Sequence, residues 1–599
     1  MTPLSVDSAP ARRPSIGGGV LLIAPSVLFL AVFFAYPLLS MLSISVFDRT
    51  GAFTLQHYDA VYSSTIIWRV LLNTFEIAAW ATFLTVLCSF PVAYYLAAGP
   101  KTGRSFMLTI VLIPFWTSVL VRAFAWMLIL GRNGVVNSGL ASAGFADRPL
   151  DLLYTFSSTM IGMVHSLMPI AVLTMLSAMQ NIDRRLDAAA ATLGARKGSV
   201  FWRIYFPLSF PGVASATLII FITSLGIFVQ PALLGSPREM MVGQLIIEQI
   251  DQMNNWGLAA AIAVSMLIAS IVVIILFDRV LGIGRLSGVA SARSTNAAAK
   301  RSRLRSETGR LLSAGLGRVT DRLLGLFGRR RTGEVQAGPG GAVRAVTFAI
   351  LFFLVAPALF LIPVSFTGST FMEWPPQGFS LKWYQEYLFS PVWREATIRS
   401  LVVGLTTASL SMLIGVPAAF ALTRFQFAFK SLALPYIMVP LIAPNIIVAL
   451  SMFYFFAKLG LVGTSTGLVI GHTVLAIPYV VVTMIATLQN YDQRLDEAAW
   501  TLGARRISTF RLVTLPLIKV GFITSFVFAF VRSFDELTVA LFISSGLSTT
   551  LPKQMWSEAF HNVGPTLAAV STVLILVVAA VVMAIELLGN SAKTKSKGN

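Results

Sequence analysis

Charge is scarce in this sequence. Only 12% of its 599 residues are Asp, Glu, Lys or Arg, where soluble domains carry roughly 25%. That excludes an ordinary water-soluble domain for most of the chain. Cysteine is nearly absent: Cys88 stands alone inside an apolar run, so no disulfide can close within the chain. The histidines, His57, His165, His472 and His561, are scattered. With neither a Cys cluster nor an H-E-x-x-H pattern, there is no candidate metal site. No G-x4-G-K-[ST] loop occurs, which excludes nucleotide binding by that cradle, and no catalytic constellation can be assembled. Acid is scarcer than base, 25 residues against 45, for a net charge of +20. The excess does not signal nucleic acid, because the Lys and Arg fall between apolar runs, as the positive-inside pattern of membrane proteins places them.

What is present is apolar. Hydrophobic residues make up 56% of the chain, and mean hydropathy is +0.79. Runs long enough to cross a bilayer, about 20 residues, lie near 19–42, 71–98, 106–130, 156–179, 212–232 and 258–282. A second set lies near 343–365, 400–423, 431–457, 466–488, 521–544 and 564–588. This predicts an all-α polytopic membrane protein with six spans in a first half, 19–282, and six in a second, 343–588. Residues 1–18 and 589–599 read as tails, and the first run as a retained helix rather than a cleaved signal. Arg12 and Arg13, Lys101 and Arg104, the Arg-rich stretches after the fourth span of each half, Arg424 and Lys430, and Lys593, Lys595 and Lys597 fall on alternate connections. Both termini and both Arg-rich stretches are therefore expected in the cytoplasm. The 283–342 segment is Gly-, Ser-, Ala- and Arg-rich and reads as a tether. Its Leu304, Leu311, Leu312, Val319, Leu323, Leu324 and Phe327, set among arginines, also allow it to lie on an anionic leaflet.

The chain repeats itself. Residues 180–212 and 489–521 align without a gap at an offset of 309, with about half the positions identical. Earlier, Pro37 aligns with Pro363, Leu55–Tyr58 with Leu381–Tyr384, Pro91 with Pro417 and Pro114 with Pro440, all at an offset of 326. The difference points to an insertion in the first half, around 131–155. Homologous halves with an even number of spans enter the membrane the same way round, which predicts parallel repeats with a pathway between them.

In the second copy, Glu497, Ala498 and Ala499 are followed by Gly503, Val513, Leu515 and Pro516. Ala498, Ala499 and Leu502 share one helical face, and two alanines let a partner approach closely. Gly503 can take positive φ and end the helix, and Pro516 suits the first turn of the next one. This spacing resembles the E-A-A-x3-G-x9-I-x-L-P motif of the inner-membrane permeases of binding-protein-dependent ABC importers. The resemblance covers nearly the whole chain and implies a cytoplasmic coupling helix in each half, docked on an ATP-hydrolysing subunit. In the first copy Ala188 stands where the motif has Glu, and Phe206 replaces the Leu before Pro207, while Ala189, Ala190, Gly194 and Ile204 are kept. Asp187 and Asp496 precede the motif in both copies and are placed to cap or neutralise the helix start. The resemblance implies two ATPase subunits that bind ATP and Mg, no cofactor in this chain, a soluble substrate-binding protein at the outer face, and a bacterial inner-membrane location.

Charged residues inside spans are candidates for the pathway. Asp535 and Glu536 read as lying well inside the eleventh span, with Arg532 placed to pair with them. Glu76 reads as lying in the second span and Arg122 in the third. These either line the pathway or form helix-tying ion pairs. The acidic pair beside Phe528, Phe530 and Phe534 suits an organic polycation. The segments Ser533–Ser545 with Thr550–Trp556, and Gln230–Gly235 with Met240–Ile246, resemble the spermidine/putrescine permease branch. Ferric iron, phosphonate or another small solute is the alternative substrate, and an ion-gradient-driven transporter the alternative class.

Overall fold

The computed structural model describes residues 16–47, 51–100, 102–145, 147–195, 197–281, 339–561 and 563–580. The two expected tails, Lys101, Arg196 and the amphipathic stretch around Leu311 lie outside the described residues. The described chain is helical. Its only β pairings are isolated bridges at Phe47–Phe53 and Thr367–Phe379.

The first half contributes α1 (Gly18–Val46), α2 (Thr65–Ala98), α3 (Arg104–Trp116), α4 (Val119–Leu130), α5 (Phe156–Met179), α6 (Arg185–Thr192), α7 (Phe206–Leu225) and α8 (Trp256–Leu281). The second contributes α9 (Gly341–Val364), α10 (Pro391–Arg424), α11 (Lys430–Ile442), α12 (Asn445–Lys458), α13 (Ser465–Gln489), α14 (Arg494–Thr501), α15 (Leu515–Phe534), α16 (Thr538–Ile543) and α17 (Pro565–Ala580). Helix starts recur along with the sequence. Thr155 caps α5 and Thr464 caps α13, each hydroxyl accepting from the backbone N–H three residues on, at 3.2 and 3.0 Å. Ten described helices are long and apolar enough to cross a membrane, counting α4 with its continuation to Ser142 as one, and α11 with α12 forms one further pair bent by 96°.

That bend corrects the expected third spans, which were read as continuous. In the first half the chain breaks at Thr117–Ser118, between α3 and α4, and in the second at Ala443–Pro444, between α11 and α12. These are equivalent positions at the offset of 326. Ala443 and Pro444 have extended ψ; proline disfavours the α region for the residue before it. A leg of 13 residues rises only about 20 Å, short of the roughly 30 Å hydrocarbon core.

The chain folds as two compact units, and these are not the sequence halves. One holds Met1–Tyr58, Trp256–Ala261 and Leu388–Ser557; the other holds Asp59–Asn255, Ile262–Tyr387 and Glu558–Asn599. The first helix of each half therefore packs with spans of the other half. In the first unit, Ser26 of α1 donates to the Ile414 carbonyl of α10 at 2.8 Å, and Tyr36 meets Phe455 of α12 edge-on at 5.0 Å. In the second unit, Leu351 and Leu354 of α9 join the core formed by Ile77, Val92, Met163 and Ile220, and Thr347 donates to the Pro91 carbonyl at 3.3 Å. An apolar stripe is satisfied by any complementary helix, so chain order does not fix its partner.

Three spans contain one π turn each: Ala31–Ala35, Phe201–Tyr205 and Phe510–Thr514. In each case a proline follows two residues after the turn, at Pro37, Pro207 and Pro516. A proline ring clashes with the carbonyl four residues earlier and offers that carbonyl no N–H. Widening the preceding turn lets the residue before proline donate one position further back: Tyr36 to Ala31, Phe206 to Phe201 and Leu515 to Phe510. The helix thus passes each proline without ending.

Candidate functional site

The repeated helices α6 and α14 each contain eight residues and are built alike. Asp183 Oδ1 accepts from the Arg185 N–H at 2.9 Å, and Asp492 Oδ1 from the Arg494 N–H at 3.0 Å. These aspartates cap the helix starts, while Asp187 and Asp496 lie in the first turn, where a carboxylate suits the helix dipole. At the other end Gly194 and Gly503 adopt φ of +82° and +85°. Behind them the Ala195 N–H reaches the Ala190 carbonyl and the Ala504 N–H the Ala499 carbonyl, both at 3.0 Å. This is the Schellman closure expected for a helix stopped by a left-handed glycine. A Cβ at either glycine would meet nothing within 4 Å, so the requirement is the dihedral angle and not space.

The outward face of each helix is exposed and apolar. Leu193 and Leu502, next to the terminal glycines, are each 88% exposed. Ala189, Ala498 and Glu497 are exposed, and Ala190 and Ala499 are half-buried. In the second copy Trp500 and Ile507 extend the patch. Exposed apolar side chains grouped this way are of the kind that make contact with a protein or a membrane.

The inward face is anchored, differently in the two copies. Asp496 is buried and accepts from Arg424 Nη1 at 2.5 Å, Tyr491 Oη at 2.7 Å and Thr514 Oγ1 at 2.7 Å. Arg424 is the last residue of α10, and Thr514 ends the π turn before α15. One carboxylate thus ties the repeated helix to two spans. Arg424 also lies over the Phe420 and Tyr491 rings, at 5.1 and 5.3 Å. Burial raises the Asp496 carboxyl, but the hydrogen bonds from Tyr491, Thr514 and Arg424, with the Arg424 charge, outweigh it, and the net shift is downward. Tyr491 is pushed up by burial and by its bond to Asp496.

In the first copy the position of Arg424 is taken by Ala98, that of Tyr491 by Ile182 and that of Thr514 by Tyr205. The guanidinium comes from the other side. Arg184 of the loop before α6 donates to the Ala98 carbonyl at 2.5 Å and pairs with Asp187 at 3.5 Å. Burial here wins over the pull of Arg184, and the Asp187 carboxyl is shifted upward. The sequence reading missed Arg424, Tyr491, Thr514 and Arg184. The cue was a basic residue at position 424 or 184 but not at both equivalents, 98 and 493.

Behind each repeated helix, the flanking spans touch backbone to side chain. A Cβ on Gly521 of α15 would lie 2.1 Å from Thr487 Oγ1 of α13, and one on Gly212 of α7 2.5 Å from the Ala178 Cβ of α5. The two glycines are equivalent, so each helix–loop–helix leaves the membrane from a tight pair of spans.

The acidic pair expected inside a span is placed differently from the reading. The α15 helix ends at Phe534, so Asp535 and Glu536 sit in the break before α16 rather than well inside a span. Glu536 is buried, pairs with Arg532 and accepts from the Val539 N–H at 3.1 Å, holding the start of α16. Asp535 is half-buried beside them. Phe530 and Phe534 stack at 5.6 Å, and His472 of α13 meets Ser533 Oγ at 2.8 Å. In the other unit Arg122 is buried and donates to the Ser166 carbonyl at 3.2 Å. It lines a small cavity with His165, Leu354 and Pro357. Glu76 is exposed beside Asn73, Trp80 and Phe83. It lies within the helix Thr65–Ala98, which is long and apolar enough to cross a membrane.

The profile of the family described as "Binding-protein-dependent transport system inner membrane component" matches residues 89–283 and again 411–588. The spermidine/putrescine permease PotB of Escherichia coli strain K12 is 29% identical over 264 residues, 43% of this chain and 96% of that protein. The permease PotC of the same strain is 32% identical over 252 residues, 42% of this chain and 94% of that protein. Among solved structures, a bacterial ABC transporter that imports the acidic polysaccharide alginate is similar with a TM-score of 0.40 and 19% identity, over 44% of this chain and 96% of that one. Each relative corresponds to about one half of the chain. With its membrane helices, its duplicated short helices and two matches to one profile, the chain belongs to the inner-membrane permease family of binding-protein-dependent ABC importers, as a multi-pass protein that carries two fused permease halves.

Proposed function

We propose that this chain forms the solute pathway of an importer for a polyamine, and that α6 and α14 are the coupling helices on which two separate ATPase subunits dock. The observation that carries the reading is the pair of glycine-stopped helices with Leu193 and Leu502 each 88% exposed. A partner that grips both faces and closes on ATP would draw them together. The anchors Asp496–Arg424 and Asp187–Arg184 would pass that movement to the spans. ATP and Mg belong to the partner subunits, both repeated helices and both termini face the cytoplasm, and a substrate-binding protein delivers the solute on the opposite side.

Polyamine as substrate is supported by the PotB and PotC relatives and by two carboxylates, Asp535 and Glu536, next in sequence to the stacked Phe530 and Phe534. An organic polycation gains from both features. The test is uptake of labelled spermidine into proteoliposomes containing the full chain, its ATPase subunits and its binding protein. The reading requires uptake that stops without ATP and falls in Asp535→Asn. Steady uptake driven by an ion gradient alone would instead make the chain a secondary transporter, and ATP-driven uptake of ferric iron or a phosphonate but not spermidine would replace the substrate.

A further inference from the structure

A groove of about 850 Å³ lies between α2, α7, α8 and α9, within one unit. Leu87, Thr217, Phe221, Phe277 and Ile350 form its walls. Its two threonine hydroxyls are already used: Thr82 donates to the Ala78 carbonyl at 2.6 Å and Thr217 to the Val213 carbonyl at 2.8 Å, each within its own helix. Beyond these the lining is apolar apart from the Cys88 thiol and the Trp202 indole, with no charged group, so the groove is not part of the pathway for a charged substrate.

The other repeat fills the same place. Val213, Thr217 and Phe221 correspond to Phe522, Phe526 and Phe530, and those three rings pack against Ala408, Met412 and Ala529. Gly404 opposite makes room, since a Cβ there would lie 2.9 Å from the Phe530 ring. On α7 two successive turns lack a ring each, and the volume stays open to the bilayer side. A helix about 10 Å across needs roughly 420 Å³ for each 5.4 Å turn. The groove would hold about two turns, far too few for a spanning partner helix. A hydrocarbon chain fits its shape and its surroundings. At the end toward α6 the groove meets Trp202 and Phe206, and exposed Arg203 lies between them in sequence. Trp202 and the next residue, Arg203, near the start of this span, are the residue types found at a membrane interface facing anionic headgroups.

We propose that this groove is a lipid site: one acyl chain of an anionic phospholipid lies along α7, with its phosphate beside Arg203. Phe201, Trp202 and Tyr205 form the π turn that joins α6 to α7, so the lipid braces the stem of one repeated helix and not of the other.

The full chain in mild detergent, titrated with phosphatidylglycerol or phosphatidylcholine and followed by native mass spectrometry, tests this. The wild type is expected to hold one phosphatidylglycerol in preference to phosphatidylcholine. Thr217→Phe, which copies the filled repeat, should weaken that binding by roughly tenfold or more. Arg203→Gln should reduce phosphatidylglycerol to the level of phosphatidylcholine. A phosphatidylglycerol with a photoactivatable group on its acyl chain should label wild-type peptides containing Leu87 or Thr217, a readout that needs no variant. Unchanged binding in Thr217→Phe, no preference between the two lipids, or labelling spread evenly over the spans would overturn the proposal, as would a co-purifying polypeptide cross-linked in the groove.

Discussion

Asp496 has a hydrogen bond from each of three side chains, while Asp187 in the equivalent place has one arginine at 3.5 Å. Removing one member of a buried ion pair strands the other, at a cost of about 3–5 kcal/mol. Asp496→Ala is therefore expected to lower the melting temperature clearly more than Asp187→Ala, and a double-mutant cycle with Arg424→Ala should show strong coupling. Additive losses would mean that the pair contributes no net energy. The two carboxylates also predict opposite pH behaviour. The folded Asp496 lies below its ordinary value of 3.8, so its contribution is present above pH 3.8 and is lost as pH falls through the folded value. The folded Asp187 lies above 3.8, so the protein loses stability as pH rises through that value. Melting curves across pH should show Asp187→Asn gaining on the wild type toward neutral pH, whereas Asp496→Asn stays below it down to about pH 3.8. These anchors were hard to read in the sequence because Arg424 and Asp496 are 72 residues apart. The first copy also draws its arginine from a different strand of the contact.

At the scale of the element, the repeated helix could be read almost whole. Its glycine stop follows from local rules, and the structure reproduces it, whereas Pro516, read as suiting the first turn of the next helix, lies inside a helix that runs from Arg506 to Phe534. Gly503→Ala would place a Cβ in the left-handed region at about 1–2 kcal/mol. It is expected to impair transport while the isolated ATPase subunits keep their basal turnover, measured side by side in proteoliposomes. Leu502→Glu should reduce co-purification of ATPase subunits, and Leu193→Glu should do the same on the other half. Gly521→Leu should cost at least the roughly 1–3 kcal/mol of an overpacked contact, because Thr487 already occupies the space. The π turns could not be read beforehand. A proline within a span announces a disturbance, but whether the helix kinks, breaks or widens depends on what packs around it. The same ambiguity hid the breaks at Thr117–Ser118 and Ala443–Pro444, and the end of α15 before Asp535.

On the scale of the whole chain, the halves are interlaced. Without α9, Ile77, Val92 and Ile220 would lose Leu351 and Leu354 from their shared core. Without α1, Phe455 and Phe456 would lose Tyr36 and Phe33. Residues 1–282 or 339–599 expressed alone are thus expected to be degraded or to aggregate, and co-expression of the two pieces should restore a folded complex by size-exclusion chromatography. Stable monodisperse halves would show that the exchange of first helices is dispensable.

The sequence alone determined that the chain is a duplicated bundle of membrane helices with a glycine-stopped helix after the fourth span of each half. Composition, periodicity and an offset that recurs over hundreds of residues are properties of the chain itself, and they survive whatever packs against it. Only the tertiary structure decided that α1 and α9 change places between the units, and that one repeated helix hangs on Arg424 and the other on Arg184. It also set Glu536 as the cap of α16. Those outcomes depend on which surfaces meet, and hydrophobic burial rewards any complementary contact without regard to distance along the chain.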